Sequence, residues 1–331
     1  MAASVASTVI VGVFAAPALG VAAAPDSTVV KVRSLPMRHR APDVPWLAGR
    51  VLHKADGGAT RLPWGKSAAL QHSLRLIGRT PRGWLVKGFS GDTWTVWLVS
   101  RGKRTLLSTH SVSEGDVVGF RLAEDGQHYA ARAYTDGEDG QFVGIFDLTG
   151  HRLASRLFDS DGKVLDLSGS QAVIGTTDTV IWDYEDGPDG TVTDLGVNAA
   201  GADLGHDLLF VTDPGTGESG PTSLSMPATP SWTAAMVDPR VSPDGTNVLA
   251  RTQSRGPDLV VRAVATGLVR HTFQVRWMAY PTPVWGTPRA FVLIGANGAA
   301  SRERVVRCRL NGRCAAPSAL VPEGRLSIPA T

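Results

Sequence analysis

Apolar and polar residues alternate in short runs along most of this chain, and Gly, Pro and Asp punctuate the runs. The most regular runs are Trp84-Leu85-Val86, Tyr129-Ala130-Ala131, Ala172-Val173-Ile174, Leu208-Leu209-Phe210, Val248-Leu249-Ala250 and Phe291-Val292-Leu293. A second set lies between them: Trp94 to Val99, Phe142 to Leu148, Thr179 to Trp182, Leu259 to Val264 and Val305 to Leu310. Runs of this length and period, bounded by turn residues, predict strands. Helical spacing of apolar residues is not sustained anywhere after the amino-terminal segment, so the pattern predicts an all-β chain.

Two segments indicate what joins the strands. RLAEDGQHYAARAYT from Arg121 and RVSPDGTNVLARTQS from Arg240 align without a gap. They share the leading Arg, the dipeptides Asp125-Gly126 and Asp244-Gly245, and the pairs Ala131-Arg132 and Ala250-Arg251. An Asp-Gly step between alternating runs is a hairpin signal, and it explains both Asp residues as turn formers. Weaker copies lie at Arg82-Gly83, Ser168-Gly169, Gly205 to Asp207, Thr287-Pro288 and Glu323-Gly324. Successive markers are about 36 to 43 residues apart, near the roughly 40–45 residues of a four-stranded propeller blade. Seven markers predict a seven-bladed β-propeller of four-stranded antiparallel blades. The last marker has too few residues after it to complete a blade. The hairpin of Val51 to His53 and Ala59 to Leu62, around Asp56-Gly57-Gly58, is expected to pair with C-terminal strands near Leu320-Val321 and Leu326 to Ile328. The two termini then share one blade, and this ring closure hides edge strands that an open sheet would expose. Six blades with a loose amino-terminal hairpin is the alternative.

Composition narrows the class. A chain of 331 residues would often hold two domains, but a propeller occupies this length as one. The 37 Gly and 21 Pro suit a turn-dense β fold. The formal charge of +3 is small, and acidic runs at Asp136 to Asp139 and Asp183 to Asp189 interrupt the basic residues, so no basic stripe points to nucleic acid. Residues 1–25 contain an apolar run from Ser4 to Leu19 and then small residues from Gly20 to Ala24, the pattern of a cleavable export signal. An uncleaved membrane anchor is the alternative. The expected division is a signal peptide over 1–25, a linker over 26–43 and the propeller over 44–331. The expected product is a secreted or extracytoplasmic monomer that meets a membrane only if the leader stays on.

Cys308 and Cys314 are the only cysteines, and export would favour their pairing. Between them, Leu310-Asn311-Gly312 fits a three-residue hairpin loop with Gly in the left-handed position, which sets the two cysteines opposite each other. Directly opposed residues of an antiparallel pair lie within disulfide reach.

The run Arg240-Val241-Ser242-Pro243-Asp244-Gly245-Thr246-Asn247 resembles the S-P-D-G turn of TolB-like, WD-repeat-type bacterial β-propellers. With the spacing, the resemblance covers roughly Val44 to Ile328. Other turns depart from the motif: Ala123-Glu124-Asp125-Gly126 keeps half of it, and Trp182-Asp183 is a lone Trp-Asp dipeptide. The Arg-rich, Ala- and Gly-rich composition is similar to that of actinobacterial exported proteins. The resemblance implies a binding or scaffold module and carries over no catalytic residue and no cofactor.

Tests for chemistry return little. No G-x-S-x-G elbow exists, and Ser219 and Ser254 sit in broken versions of it. Ser160-Asp161-Gly162 lacks the spacing and the following Trp of a sialidase turn. The histidines at 39, 53, 72, 110, 128, 151, 206 and 271 form no pair with metal-site spacing. Asp183, Glu185, Asp186 and Asp189 are the best cation candidates, but they miss the alternating spacing of an EF-hand loop, and a charged solvated hairpin is the favoured reading. Trp94 and Trp97 lie on opposite faces of one run, so at least one is expected to leave the blade interface or lie at its edge. Trp232, after the Pro-rich stretch 221–230, is the candidate for rim binding. Two functions remain: a secreted non-enzymatic propeller that binds a protein or envelope component, or a hydrolase or lyase acting on a glycan or other small substrate at the central channel.

Overall fold

A computed structural model describes residues 26–37, 42–65, 73–111, 119–134, 140–159, 162–186, 189–252, 258–275, 278, 283–296 and 302–329. The leader, the acidic run Asp136 to Asp139, His39, His72, Ser160-Asp161 and Ser254 lie outside them. The described chain is a seven-bladed β-propeller with two single-turn 3-10 helices.

Each blade is an antiparallel sheet whose first strand faces the axis. Blade one has strands Arg75–Thr80, Gly83–Ser90, Thr93–Ser100 and Lys103–Ser111. Blade two has Gly119–Leu122, His128–Tyr134, Gly140–Asp147 and Arg152–Asp159, and blade three has Lys163–Ser168, Gln171–Gly175, Val180–Asp183 and Thr191–Asp194. Blade four has three strands, Ala199–Asp203, Leu208–Thr212 and Ser219–Ser223, and a single bridge from Ser219 to Ala234 stands in for a fourth. Blade five is Val237–Val241, Asn247–Arg251, Asp258–Ala263 and Val269–Gln274. Blade six is Val284–Thr287, Ala290–Ala296 and Arg302–Arg309, with Cys314–Ala315 and Val321–Pro322 both on its outer edge.

Blade seven closes the ring as expected from the two ends of the chain. Leu326–Ser327 supplies its inner strand, and Trp46–Ala48, Val51–His53 and Ala59–Arg61 supply the other three. Two details differ from the sequence reading. The strand that meets the C-terminus is Trp46–Ala48, pairing Leu47 with Ser327, and Val321 belongs to blade six. The Glu323-Gly324 turn therefore precedes an inner strand, whereas the other six markers follow one. The blade split between the chain ends has no such turn to mark.

The core is divided as the architecture requires. Seven apolar clusters fill the seven junctions, for example Leu85, Val96, Phe120 and Tyr129 between blades one and two. Because each sheet has a junction on both faces, Trp94 packs toward blade two and Trp97 toward blade seven. Their odd spacing does put them on opposite faces, but both faces are interfaces and neither ring has to leave.

Residues 26–37, expected as linker, carry structure. Ser27–Val29 adds to the outer edge of blade five, parallel to Thr272–Gln274. Val30 and Val32, 3% and 6% exposed, then fill the junction of blades five and six. The buried Arg304 of blade six donates to the carbonyls of Val32 and Leu35 at 3.0 and 3.2 Å and holds the segment as it crosses. Nothing in the short apolar run Val29-Val30-Lys31-Val32 separates such a strand from the end of a leader.

The cysteine hairpin has the expected register. Cys308 pairs with Cys314, the amide of Gly312 donates to Arg309 O at 2.9 Å, and Gly312 has φ of +78°. A disulfide joins the two sulfurs. The bridge ties blade six to its short outer strand.

Candidate functional site

The inner strands end in turns that ring one mouth of the central channel. The aligned segments from Arg121 and Arg240 adopt the same turn. Ala123 and Ser242 donate to the carbonyls of His128 and Asn247, and Gly126 and Gly245 donate back to Ala123 and Ser242. Asp244 Oδ1 accepts from Ser242 Oγ at 2.6 Å and Thr246 Oγ1 at 2.9 Å, and Asp125 Oδ1 accepts from the amide of Gln127 at 2.7 Å. Gly126 and Gly245 have φ of +67° and +72°, a conformation that a side chain disfavours. Space is short as well. A Cβ on Gly245 would lie 2.6 Å from His206, and one on Gly126 would lie 3.2 Å from the carbonyl of Arg79. The turns thus lean on one another around the mouth.

The mouth opens a cavity of about 530 Å³ to which every blade contributes. Pro45, Pro239, Pro243, Pro283 and Pro329 supply much of its wall, with Val284 and Trp285. The indole N–H of Trp285 donates to Arg240 O at 2.9 Å and locks blades five and six together beside it.

Charged groups line this cavity nearly all the way round: Asp43, which pairs with Arg307, Arg79 of blade one, and a cluster from blades two to five. Arg121 Nη2 of blade two donates to Asp166 Oδ1 of blade three at 2.6 Å, and the amide of Leu204 donates to Asp166 Oδ2 at 2.7 Å. Asp203 caps the 3-10 turn Leu204–His206: its Oδ1 accepts from the His206 amide at 2.9 Å and faces His206 Nδ1 at 3.0 Å. Glu124 reaches from blade two across blade three to Gly205 of blade four. Burial and the charges of Asp166 and Asp203 push the Glu124 carboxyl above the usual carboxylate range. The carboxylate oxygens of Glu124, Asp166 and Asp203 lie within 4.8 Å of one another. Arg240, on the inner strand of blade five, also lines the cavity. Burial, and then the like charge of Arg121, lower its pKa to about 9.

Sequence reasoning did not assemble this group. Arg121 and Arg240 were visible as the shared first residue of the two repeats, and equal repeat positions mean equal positions in the ring. That alignment was the signal. Asp166, Asp203 and His206 carry no local signature, because ring order alone brings them together. Trp232 is half-buried at the junction of blades four and five, where its N–H donates to Val264 O at 2.8 Å and its ring lies against Gly267. Asp186 accepts from Thr191 within its own hairpin, away from the channel. Buried His271 bonds Thr28 of the amino-terminal strand at 2.8 Å.

No family model matches the chain, and no curated protein matches it. Among solved structures, a chain of the "Crystal Structure of Mitotic Checkpoint Complex" is similar with a TM-score of 0.55 at 11% identity, covering 87% of each chain. The C-terminal WD40 domain of Sif2 aligns with a TM-score of 0.48 at 14% identity, over 74% of this chain and 69% of that one. The AfRom2 CNH domain aligns with a TM-score of 0.49 at 12% identity, over 79% and 94%. At such identities the likeness is one of fold. The chemistry of the chain has to be argued from its own residues.

Proposed function

We propose that this chain is a secreted, non-enzymatic binding module that holds a protein or cell-envelope component at the mouth of its channel. Kinship with TolB-like propellers of actinobacterial exported proteins belongs to the same proposal. The observation that supports it is the cavity of about 530 Å³, within the size range of ligand sites, with apolar proline walls and a few charged groups aimed inward. Its position also fits: seven rigid blades converge there, so a partner would meet groups held by the whole ring.

A second reading, a hydrolase acting on a glycan or other small substrate, has one observation in its favour. Glu124 with its raised carboxyl stands within 4.8 Å of two other carboxylates, a juxtaposition from which acid–base pairs are made. Against it, Asp166 and Asp203 already accept hydrogen bonds from Arg121, Leu204 and His206. A carboxylate held by two donors makes a poor nucleophile or base.

The test is affinity capture from envelope fractions with the native protein and with Glu124→Arg and Arg240→Glu variants that keep the native melting temperature. The binding reading expects a partner that the native chain retains and both variants lose. It fails if both variants retain the partner equally. Turnover of a glycan library that disappears in Glu124→Gln would move the assignment to the hydrolase.

A further inference from the structure

Among the charges that line the cavity, Arg240 and Glu124 make no side-chain hydrogen bond or ion pair within the described residues, and Arg79, which lines it too, lies over the Trp84 ring. Arg240 is half-buried and lines the channel cavity. Among the described residues it makes no hydrogen bond and no ion pair. The acids nearest to it in charge are Asp238 and Asp166, and each is already held. Asp238 is bound by Lys163 and Arg251, and Asp166 by Arg121. The next inner strand in the ring, Val284–Thr287, carries no carboxylate at all. A guanidinium does not shed its proton to escape such a place, and a cation withdrawn from bulk water is costly unless it is paired. Arg240 therefore favours an incoming anion, and its planar fork fits a carboxylate with two parallel hydrogen bonds.

An anion alone would be unwelcome, because Glu124, Asp166 and Asp203 face the same cavity, as does Asp43, which Arg307 already holds. Of these, Glu124 is the carboxylate that makes no side-chain hydrogen bond among the described residues, and it stands beside Asp203. A cationic group would be held there. Arg240 stands on the inner strand of blade five and Glu124 in the turn of blade two, and among the described residues no hydrogen bond or ion pair joins them across the cavity.

We propose that the channel mouth binds a small zwitterion, an amino acid or short peptide. Its carboxylate would lie on Arg240 and its ammonium on Glu124 beside Asp203, with the chain between them against the proline walls. This rests on the channel-mouth reading above and names its ligand class.

The experiment uses calorimetric titration of the full chain with alanine, dialanine and trialanine. Each is offered with free ends, with the amino end acetylated, and with the carboxyl end amidated. One length should bind at least tenfold more tightly in its free form than in either capped form, as expected for charge-assisted hydrogen bonds. Arg240→Gln should then erase the difference between free and amidated peptide, Arg240→Lys should restore part of it, and Glu124→Gln should erase the difference between free and acetylated peptide. The proposal falls if capping has no effect on binding, or if Arg240→Gln leaves the free-over-amidated preference intact. Capped and free forms that bind equally, and are lost together when Arg240 and Glu124 are both replaced, would overturn the zwitterion and keep the channel-mouth site. Absence of binding by every form overturns the zwitterion as well, and only the capture experiment then speaks for the wider reading.

Discussion

Blades two and five begin alike and end up with opposite electrostatic roles. Both carry an Arg at the same place in the repeat, both turn through Asp-Gly, and both put that Arg at the channel. Arg121 finds Asp166 on the next inner strand, whereas Arg240 finds Val284 and Trp285 on its own next strand. One guanidinium is a strut and the other is an unengaged charge. A repeat therefore dictates where a side chain goes, and its neighbour in the ring decides what it does.

The strongest way to break this contrast is to remove the partner in blade two. Asp166→Ala strips Arg121 of its hydrogen-bonded carboxylate and orphans the Leu204 amide, and should cost about 3 kcal/mol in urea unfolding. Arg240→Gln, in the equivalent place, should be neutral or slightly stabilising. Equal losses in the two variants would show that Arg240 is paired after all.

The turns sharpen the comparison at smaller scale. Gly126→Ala should cost about 1–2 kcal/mol for the left-handed backbone alone. Gly245→Ala should lose about 1 kcal/mol more, because its methyl group must displace His206 from Asp203. Thermal melts of the two variants would separate the terms, and a smaller loss for Gly245→Ala would contradict the packing of turn on turn.

The smallest effect is one of pH. With its carboxyl raised in the folded state, Glu124 binds a proton more tightly there than in the unfolded chain. The stability this contributes is complete below the ordinary glutamate range and is lost as pH rises through the raised folded value. Glu124→Gln should flatten that decline in a pH series of unfolding midpoints. An unchanged slope would place the titration elsewhere.

Much of this fold could be read from local chemistry. Asp125-Gly126, Asp244-Gly245 and the alternating runs state a turn and its strands within about ten residues, and Cys308 to Cys314 contains its own register. What escaped reading depended on distant pairings. Ser27–Val29 has no feature that names Val269–Gln274 as its partner, and the strand expected at Leu326 to Ile328 has none that names Trp46–Ala48. The site was harder still. Its signal was half present in the two aligned arginines, but the difference between them lies in Asp166 and Val284, which enter only through the order of blades around the axis.

The amino-terminal strand has a bearing on the order of assembly. Thr28 reaches His271 across 243 positions, and Val30 and Val32 need Phe291 and Val306 before they have a surface to cover. Contacts so distant along the chain are slow to form, since the intervening segment must first be brought together. The segment from Ser27 to Val32, though made early, therefore waits for nearly the whole chain before it can dock. It is the last piece placed, and a probe attached near Ser27 would report the completion of folding rather than its beginning.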